Sequence, residues 1–354
     1  MDIVRQRLAT QRLTGTPFAS VGTAVQRLGA VQAQDYPAAK WGLAQRIRGG
    51  LTSRQFDEAF AAGKILRTHI MRPTWHFVMP EDIRWLQELT APRVRMLMAR
   101  FDATLELDDG TIRHSQDLFG QALQGGTWLT RAELAEVLRQ GGLKAAGMRL
   151  GHLIMYAELA GVLCSGGLKG KQHTYALVVE RAPQAKRLER DEALAELAHR
   201  YFSGHGPATA QDLAWWSGLT LADVKHGLEL AKKQLTQEAS DGQVYWFAAT
   251  QPKPVHKPSL HLLPNYDEFL IGYKGYGAIL KAPHLAPTAS DPLRAHIIIR
   301  DGRPVGSWKR TLSKNRVTIK PEVLVKLSKA EQTALQTAAE AYGAFLELPV
   351  AVEA

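Results

Sequence analysis

The strongest constraint on the fold is an order of elements, three helices and then two strands, between residues 188 and 250. Apolar residues at helical spacing over 193–202 predict the first helix. Thr209 and Thr220 stand where N-caps would open a second and a third helix. An Asp-Gly turn at 241–242 then joins two short strand-like runs, as in a β-hairpin. Three helices followed by a hairpin are the winged-helix pattern, a helix-turn-helix with a strand pair appended.

The same order occurs twice upstream, less sharply and at uneven spacing. It predicts a tandem array of winged helices, although not a strict sequence repeat. We predict winged helix 1, with a Gln-x-Gln motif, at 1–110, winged helix 2 at 111–185 and winged helix 3 at 186–250.

Residues 251–354 differ in character from the rest of the chain. Short β-prone runs separated by Pro, Gly and Asp-Gly turns predict a small antiparallel sheet or barrel. The runs are 260–263, 269–273, 295–300, 303–308 and 316–319. A closing helix is predicted over 328–344. The predicted fold class is therefore α+β: tandem winged-helix (helix-turn-helix) domains plus a small C-terminal antiparallel β-barrel-like domain.

Charge and composition narrow the possible partners. The 354-residue chain has 44 Lys and Arg against 34 Asp and Glu, a formal net charge of +10. Such an excess favours a polyanionic partner, and a basic surface that serves only solubility is the alternative. No run of about 18 apolar residues and no signal-peptide pattern occur, so we expect a cytoplasmic protein without a membrane partner. The single cysteine, Cys164, excludes an internal disulfide, and the scattered histidines predict no metal site and no cofactor.

Gln32 and Gln34 are the first candidate functional residues, within the run Val-Gln-Ala-Gln-Asp. A helix opened by Ser20 or Thr23 is predicted to run through Gln34. Two residues apart, the glutamines do not share a face inside a helix, but at a fraying C-terminus both amides could converge on a cleft. Two solvated polar residues are the alternative.

A second dense stretch, 67–77, combines arginines, histidines and a tryptophan. As a strand it alternates faces, and its proline requires a sheet edge or a bulge. Arg67, His69, Arg72 and His76 are therefore candidates for contact with DNA phosphates or a damaged base. The alternative is a wing whose tryptophan fills a core and whose histidines are structural.

Further candidate phosphate contacts are Lys169, Lys171, Lys309 and Arg310. The run 166–171 resembles a phosphate-binding loop, but it is one residue short and lacks the Ser or Thr that must reach magnesium. It is better explained as a basic wing tip. The alternative interpretation of each of these residues is a solvated surface charge that does not contact DNA.

Four segments in this order carry a family resemblance: Val-Gln-Ala-Gln-Asp at 31–35, the 67–77 stretch, Leu-Leu-Pro-Asn-Tyr-Asp at 262–267 and Asp-Gly-Arg-Pro-Val-Gly-Ser-Trp at 301–308. Across nearly the full chain they resemble the tandem winged-helix family that contains the AlkZ and YcaQ DNA glycosylases. The resemblance implies several winged helices plus a small β-barrel. It also implies removal of N-alkylated purines from DNA and, in some members, unhooking of interstrand crosslinks.

The family's glycosylases carry a Gln-apolar-Gln or Gln-apolar-Asp motif, which Gln32 and Gln34 match. The resemblance thus implies that these two glutamines are the catalytic residues. One departure is Arg-Pro-Thr-Trp-His at 72–76, where the characterised glycosylases look more like Arg-Gly-Thr-Leu-His. The bulkier Trp75 and the stiffer Pro73 predict a different cleft wall.

Chemistry restricts what two glutamines can do. A neutral amide is neither a general base nor a nucleophile, so it can only hold a water molecule and direct it at the sugar C1′. Such a site needs a good leaving group, which predicts purines that alkylation at N7 or N3 has made cationic. Asp35 is a candidate base, but its place next to Gln34 predicts a side chain that points elsewhere.

The expected partner is therefore double-stranded DNA with alkylated purines, bound by a monomer. A winged-helix transcription regulator without catalysis is the competing interpretation. Its predicted recognition helix at 222–234 offers side chains suited to phosphates more than to base edges. A protein-interaction scaffold is the third interpretation, and it predicts no salt-dependent DNA binding.

Overall fold

The computed structural model describes residues 1–274 and 295–353. The part of the predicted C-terminal domain at 275–294 lies outside the described residues. Within the two described stretches, no helix combines the length and the apolar character that crossing a membrane requires.

The first unit combines short helices with a small sheet. Its elements are α1 (Ile3–Thr10), α2 (Val21–Leu28), β1 (Val31–Gln32), α3 (Tyr36–Ala44), α4 (Ser53–Ala61), β2 (Leu66–Ile70) and β3 (Thr74–Val78). The strand order is β1-β3-β2. A capping box at Ser20 begins α2 at one of the two starts that the sequence predicts for that helix, and a second capping box at Thr52 begins α4.

The prediction that a helix runs through Gln34 is wrong. Helix α2 ends at Leu28 because Gly29 adopts φ 78°, a left-handed conformation that glycine adopts without strain, and its N–H bonds to the carbonyl of Gln26. The chain then continues as strand β1. The glutamine segment is therefore extended rather than helical.

The 67–77 stretch is a hairpin rather than one continuous strand. Pro73 lies in the turn between β2 and β3, where its missing N–H costs no ladder hydrogen bond. The register pairs Thr68 with His76 and His69 with Trp75.

The second unit repeats this arrangement with a longer connecting helix. Its elements are the 3₁₀ helix Pro80–Asp82, α5 (Ile83–Met98), the 3₁₀ helix Ala99–Phe101, α6 (Asp109–Ala122), β4 (Leu129–Thr130), α7 (Arg131–Gln140), α8 (Gly147–Leu159), β5 (Leu163–Lys169), β6 (Gln172–Leu177) and α9 (Val178–Arg181). The strand order is β4-β6-β5.

The third unit has the predicted order of helices and hairpin. Its elements are α10 (Arg190–His205), α11 (Ala210–Ser217), α12 (Leu221–Ala231), the 3₁₀ helix Lys232–Gln234, β7 (Leu235–Ser240) and β8 (Gln243–Ala248). Thr209 and Thr220 are the N-caps of α11 and α12. The hairpin turns through Asp241 and Gly242, both at positive φ.

The three units share one topology. In the first two units a short strand lies before a helix, β1 before α3 and β4 before α7. This strand pairs with the second strand of the hairpin of its own unit: β1 with β3, and β4 with β6. In the third unit the same pairing shrinks to a single bridge between Ala208 and Trp246. Gln32 therefore occupies a position that recurs in each unit.

The C-terminal part contains a curled five-stranded sheet of order β13-β12-β11-β10-β9. Its elements are β9 (Leu260–Leu263), α13 (Glu268–Ile271), β10 (Ile297–Arg300), β11 (Arg303–Leu312), β12 (Val317–Val323), α14 (Lys329–Leu346) and β13 (Val350–Val352). The strands predicted between 260 and 319 pair in antiparallel fashion, β9 with β10, β10 with β11 and β11 with β12. The added pair of β12 with β13 is parallel, and the sequence did not predict it. The prediction of a strand at 269–273 is wrong, because residues 268–271 form α13, which Asp267 caps by accepting from the N–H of Phe269.

The main hydrophobic core crosses the predicted domain borders. Ile70 and Trp85, Cys164 of β5, and Phe202 and Trp216 of the third unit belong to one buried cluster. A second cluster lies within the second unit, and a third joins α3 to the C-terminal sheet. The units therefore support one another, and the predicted domain ranges stay a prediction.

Candidate active site

Gln32 and Gln34 lie on one short extended segment between α2 and α3. Gln32 opposes His76 across the sheet, and the N–H of Ala33 donates to the carbonyl of Trp75 at 2.7 Å. Side chains two residues apart on an extended chain point to the same face. The strand ends at Gln32, however, and of the two side chains only Gln34 lines the cleft described below, whereas Gln32 lines a small internal cavity with Pro264 and Glu268.

The first unit differs from the other two in the connection between its short strand and the helix that follows it, which is α3. In the second unit the N-cap Thr130 itself belongs to β4, and in the third unit the N-cap Thr209 directly follows the bridged residue. In the first unit two residues, the second being Gln34, separate β1 from the N-cap Asp35. This extension carries Gln34 out to an exposed position.

Gln32 is buried, with 6% of its surface exposed. Its N–H donates to Oε1 of Glu268 at 2.7 Å, and its Oε1 accepts from Nη2 of Arg72 at 2.9 Å. The other oxygen of Glu268 accepts from Nε1 of Trp216 and faces Nε2 of His205. Burial alone would raise the pKa of Glu268, but the His205 hydrogen bond and charge outweigh it and the pKa is lowered. The backbone N–H of Gln32 is thus hydrogen-bonded to a buried carboxylate.

The hydrogen bonds fix the orientation of both amides. Oε1 of Gln34 accepts from the backbone N–H of Trp75 at 3.3 Å, while Oε1 of Gln32 accepts from Arg72. A backbone N–H and a guanidinium are donors only, so an oxygen must face each of them. An amide oxygen has two acceptor positions. Gln34 therefore keeps one acceptor position and its NH₂ group for a further partner.

Gln34 opens into a cleft of about 640 Å³ between the first and second units. We call this the Gln34 cleft, and it is lined by Gln34, Asp35, Tyr36, Pro37, Arg67, Trp75, Arg131, Gln172, His173 and Tyr175. The exposed amide and an open groove thus lie together, as the predicted chemistry requires.

Asp35 lines the same cleft, although its place beside Gln34 predicted a side chain that points elsewhere. Its Oδ1 accepts from the N–H of Ala38 at 3.1 Å and caps α3. Its Oδ2 accepts from Nδ2 of Asn265 at 3.1 Å. The carboxylate is held in place from both sides, next to the Gln34 amide.

Burial controls the charges around the cleft. Burial lowers the pKa of Arg67 to about 10, so its guanidinium, which donates to the carbonyl of Ala33 at 3.1 Å, stays positive at neutral pH. Burial and the Arg67 charge lower the pKa of His173 to about 4, which leaves that ring neutral. Burial and a hydrogen bond to Asp57 raise the pKa of Tyr36. The buried Arg67 cation therefore lies behind a wall of uncharged rings, and the exposed Arg131 is a second cation at the cleft.

Trp75 forms part of this wall. The Cζ atom of Arg67 lies 4.3 Å from the centre of its ring, and the ring of His69 lies 4.3 Å away on the paired strand. Trp75 is only half-buried and borders the cleft. The alternative interpretation of the sequence, in which this tryptophan fills a core, therefore does not apply.

The two predicted histidines are buried. His69 faces Glu158 through Nδ1, and His76 is fully enclosed with Nδ1 at 3.0 Å from the carbonyl of Thr74. Burial and the Arg72 charge lower the pKa of His76 to about 4, so it is neutral at neutral pH. Contact of these histidines with DNA stays a prediction.

The four predicted surface cations lie on the β5–β6 and β11–β12 hairpins. Lys169 and Lys309 are exposed, and each pairs with a glutamate, at 2.6 and 2.8 Å. Lys171 is exposed at the tip of the β5–β6 hairpin, where the sequence predicts a basic tip. Arg310 is half-buried with Nη1 at 2.6 Å from Nε2 of His296. Their contacts with phosphates stay predictions.

Several residues of the site were not identified from the sequence. Arg131, Gln172, His173 and Tyr175 belong to the second unit, about 100 residues or more from Gln34 in the chain. No local pattern links them to the glutamines. Glu268 directly follows the quoted 262–267 segment, which is the signal that could have found it.

A larger cleft, about 950 Å³, lies between α3, β9 and α14. Small apolar side chains such as Ala334 and Ala338, together with Phe345, form much of its wall. Of the described residues, no Lys, Arg, Asp or Glu lines it. It lacks the cations that a phosphate backbone requires, so we place the active site in the Gln34 cleft instead.

No group of three His, Cys, Asp or Glu side chains able to hold a metal ion occurs in residues 1–274 and 295–353. Cys164 is buried, and burial raises the pKa of its thiol to about 12. A thiol of this kind is not a nucleophile.

Comparison with known proteins gives a family match and a structural match. The model of a family described as DNA glycosylase AlkZ-like matches residues 25–345. Among solved structures, Streptomyces sahachiroi DNA glycosylase AlkZ matches with a TM-score of 0.77 and 21% identity, over 99% of this chain and 98% of that one. At this identity the structural likeness establishes the fold. No curated protein sequence matches the chain.

Proposed function

Because the chain belongs to the AlkZ-like DNA glycosylase family and is a DNA glycosylase, we propose that its substrate is double-stranded DNA with a cationic N-alkylated purine. The reaction is hydrolysis of the N-glycosidic bond, which releases the base and leaves an abasic strand. The three helix–hairpin units serve as winged helices that bind the duplex around the Gln34 cleft. The protein acts as a monomer at the nucleoid.

The observation that carries this proposal is the exposed Gln34 amide in an open cleft. Its oxygen is held by the Trp75 N–H and has a second acceptor position. A water molecule that donates to this oxygen has a lone pair free to point at C1′ of a bound nucleotide. Asp35 lies beside it and accepts two other hydrogen bonds, so its role is to hold this end of the segment and to supply negative charge.

The weakness of an amide as a catalyst selects the substrate. Positioning and general-base catalysis each contribute on the order of a few kcal/mol, and an amide supplies only the first. A purine alkylated at N7 or N3 carries a positive charge and departs as a neutral base. The bond is then already activated, so a placed water is sufficient. Uracil and unmodified purines lack this activation, and we propose that they are not substrates.

The two glutamines have different roles in this proposal. Gln34 holds the water. Gln32 is a positioning residue, because its buried oxygen binds Arg72 and its N–H binds Glu268, which fixes the segment that carries Gln34. Lys169, Lys171, Lys309 and Arg310 contact phosphates.

Crosslink unhooking is the second part of the proposal. An open cleft, unlike an enclosed pocket, accepts a lesion that cannot be rotated fully out of the helix because it is bound to both strands. The Gln34 cleft lies between two units and is open to solvent. A duplex with an N7-linked interstrand crosslink is the substrate that tests this part.

The main experiment incubates the protein with a duplex that contains N7-methylguanine and measures free base and abasic strand. Gln34→Ala is expected to slow single-turnover release by about 30- to 150-fold, equivalent to about 2–3 kcal/mol. Gln32→Ala is expected to slow it as well. Gln121→Ala, a change at an exposed glutamine of α6, is the matched control and is expected to release base at the wild-type rate.

Fluorescence anisotropy with the same duplex separates binding from catalysis. Gln34→Ala is expected to leave the affinity unchanged. Release of no cationic purine by a wild-type protein that binds duplex DNA would contradict the proposal and support the transcription-regulator interpretation. Undiminished release by the double variant Gln32→Ala/Gln34→Ala would place the active site elsewhere.

A further inference from the structure

A second polar pocket of about 660 Å³ lies between α2, α10 and the segment that follows β8. Arg12, Arg27, His199, Ser203 and Gln251 are among its lining residues. It shares no lining residue with the Gln34 cleft. We call it the Arg12–Arg27 pocket.

Two guanidinium groups in this pocket lack a counter-charge. Among the described residues, neither Arg12 nor Arg27 forms an ion pair, whereas the neighbouring Arg200 pairs with Asp82 and with Glu196. Burial and the nearby charge of Arg12 lower the pKa of Arg27. Two partly buried like charges repel each other, and an anion bound between them would remove this repulsion.

Two further donors in the pocket have no partner. Ser203 is 4% exposed, and its hydroxyl forms no hydrogen bond among the described residues. Nε2 of Gln251 is likewise buried without a partner there. Oε1 of Gln251 accepts from the hydroxyl of Thr10 at 3.2 Å, and the amide nitrogen is the group without a partner. Buried donors of this kind are costly unless a ligand or water accepts from them.

The geometry points to a phosphate-binding site in the Arg12–Arg27 pocket. Guanidinium groups are planar, weakly hydrated and bind phosphate oxygens in pairs, and the two in this pocket have no carboxylate partner among the described residues. The only carboxylate among the described lining residues, Glu196, is already engaged by Arg200. The phosphate belongs either to the DNA backbone or to a free small molecule, and only the first source depends on the proposed function.

The DNA arm of the test uses the full-length protein with Arg12→Gln, Arg27→Gln and the double variant. Each single change is expected to reduce the slope of log affinity against log salt for an undamaged duplex by about one, since one phosphate contact is lost. Arg113→Gln, at an exposed arginine of α6, is the matched control and is expected to keep the slope. Urea unfolding confirms that each variant is folded.

The small-molecule arm uses inorganic phosphate alone, followed by calorimetry and by the shift in unfolding temperature. If the pocket takes free phosphate, the wild type binds it saturably and is stabilised, while the double variant is not. A change in either arm that is confined to Arg12 and Arg27 supports the site and identifies the source. Salt slopes and phosphate responses equal to those of the wild type in both arms would overturn it.

Gln34→Ala distinguishes this inference from the proposed function. This variant is expected to change neither the salt slope of DNA affinity nor the response to inorganic phosphate. If the protein released no alkylated base but bound phosphate through Arg12 and Arg27, the proposed function would be contradicted and the phosphate site would stand.

Discussion

The backbone N–H of Gln32 donates a 2.7 Å hydrogen bond to Glu268, which lies 236 positions later in the chain. Three residues further along the glutamine segment, Asp35 accepts from Asn265. Asn265, before α13, and Glu268, the first residue of α13, therefore hold the glutamine segment at two points. The first unit carries Gln34, but the C-terminal part of the chain fixes its position.

Glu268→Ala is expected to loosen this arrangement. It leaves the N–H of Gln32 and Nε1 of Trp216 without an acceptor, and each unsatisfied buried donor costs about 1–3 kcal/mol. Urea unfolding should show the lost stability, and base release from N7-methylguanine DNA should slow under conditions where the variant is still folded.

Glu268→Gln is the matched control for that variant. It keeps the shape of the side chain and an oxygen that can accept from Gln32, so its losses should be clearly smaller than those of the alanine variant. Equal effects of the two changes would show that the carboxylate charge, and not the hydrogen bond to Gln32, is what matters.

Trp75→Ala is expected to impair catalysis by removing the aromatic wall of the Gln34 cleft. Stacking of a base on an aromatic ring contributes about 1–3 kcal/mol, so kcat/KM for N7-methylguanine release should fall by about 10-fold or more. Trp75→Phe keeps a π face and should retain most of the activity. Affinity for undamaged duplex should not change in either variant, and a loss of that affinity would instead assign Trp75 to general DNA binding.

Sequence patterns predicted the helix starts well and the helix ends less well. Ser20, Thr209 and Thr220 all cap helices, because a side-chain oxygen near a free N–H is a local feature. The end of α2 depends on the backbone conformation of Gly29, which the apolar pattern does not encode.

The candidate site was predicted only in part, for a physical reason. The importance of Gln32 and Gln34 came from a motif, but their geometry depends on Trp75, Arg72 and Glu268. Contacts between residues so far apart in sequence follow from the packing of units. Composition and periodicity contain no information on such packing, so the buried state of Gln32 could not be foreseen.

Acid is expected to destabilise the protein partly through His76. Its pKa is about 4 when folded and 6.5 as a free side chain, so the unfolded chain binds the proton first. The stability that this difference contributes is complete above pH 6.5 and is lost as the pH falls towards 4, a loss of about 3 kcal/mol. Unfolding free energies measured across this range should show it.

His76→Gln should make that pH dependence less steep, since an amide does not titrate. His226→Gln, at a side chain that is 51% exposed, is the control and should keep the wild-type slope. If His76→Gln and the wild type lost stability in parallel, the proton uptake would have to be assigned to other groups.

Asp267→Asn is expected to be the most destabilising of these changes. Asp267 and Arg46 form a two-pronged ion pair at 2.7 and 2.9 Å with both side chains at most 2% exposed. The asparagine can still cap α13 through one oxygen, but it turns an NH₂ group towards the guanidinium and leaves a buried charge uncompensated. Breaking a buried pair in this way costs about 3–5 kcal/mol, which urea unfolding at neutral pH would measure.

Glu58→Gln is the control for this variant. It removes an exposed partner of Arg54 at 3.1 Å and should leave the unfolding midpoint unchanged. Arg46 also donates to the carbonyls of Gln11 and Gly42 and to Oε1 of Gln11. Similar midpoints for the two variants would mean that these acceptors, and not Asp267, hold Arg46.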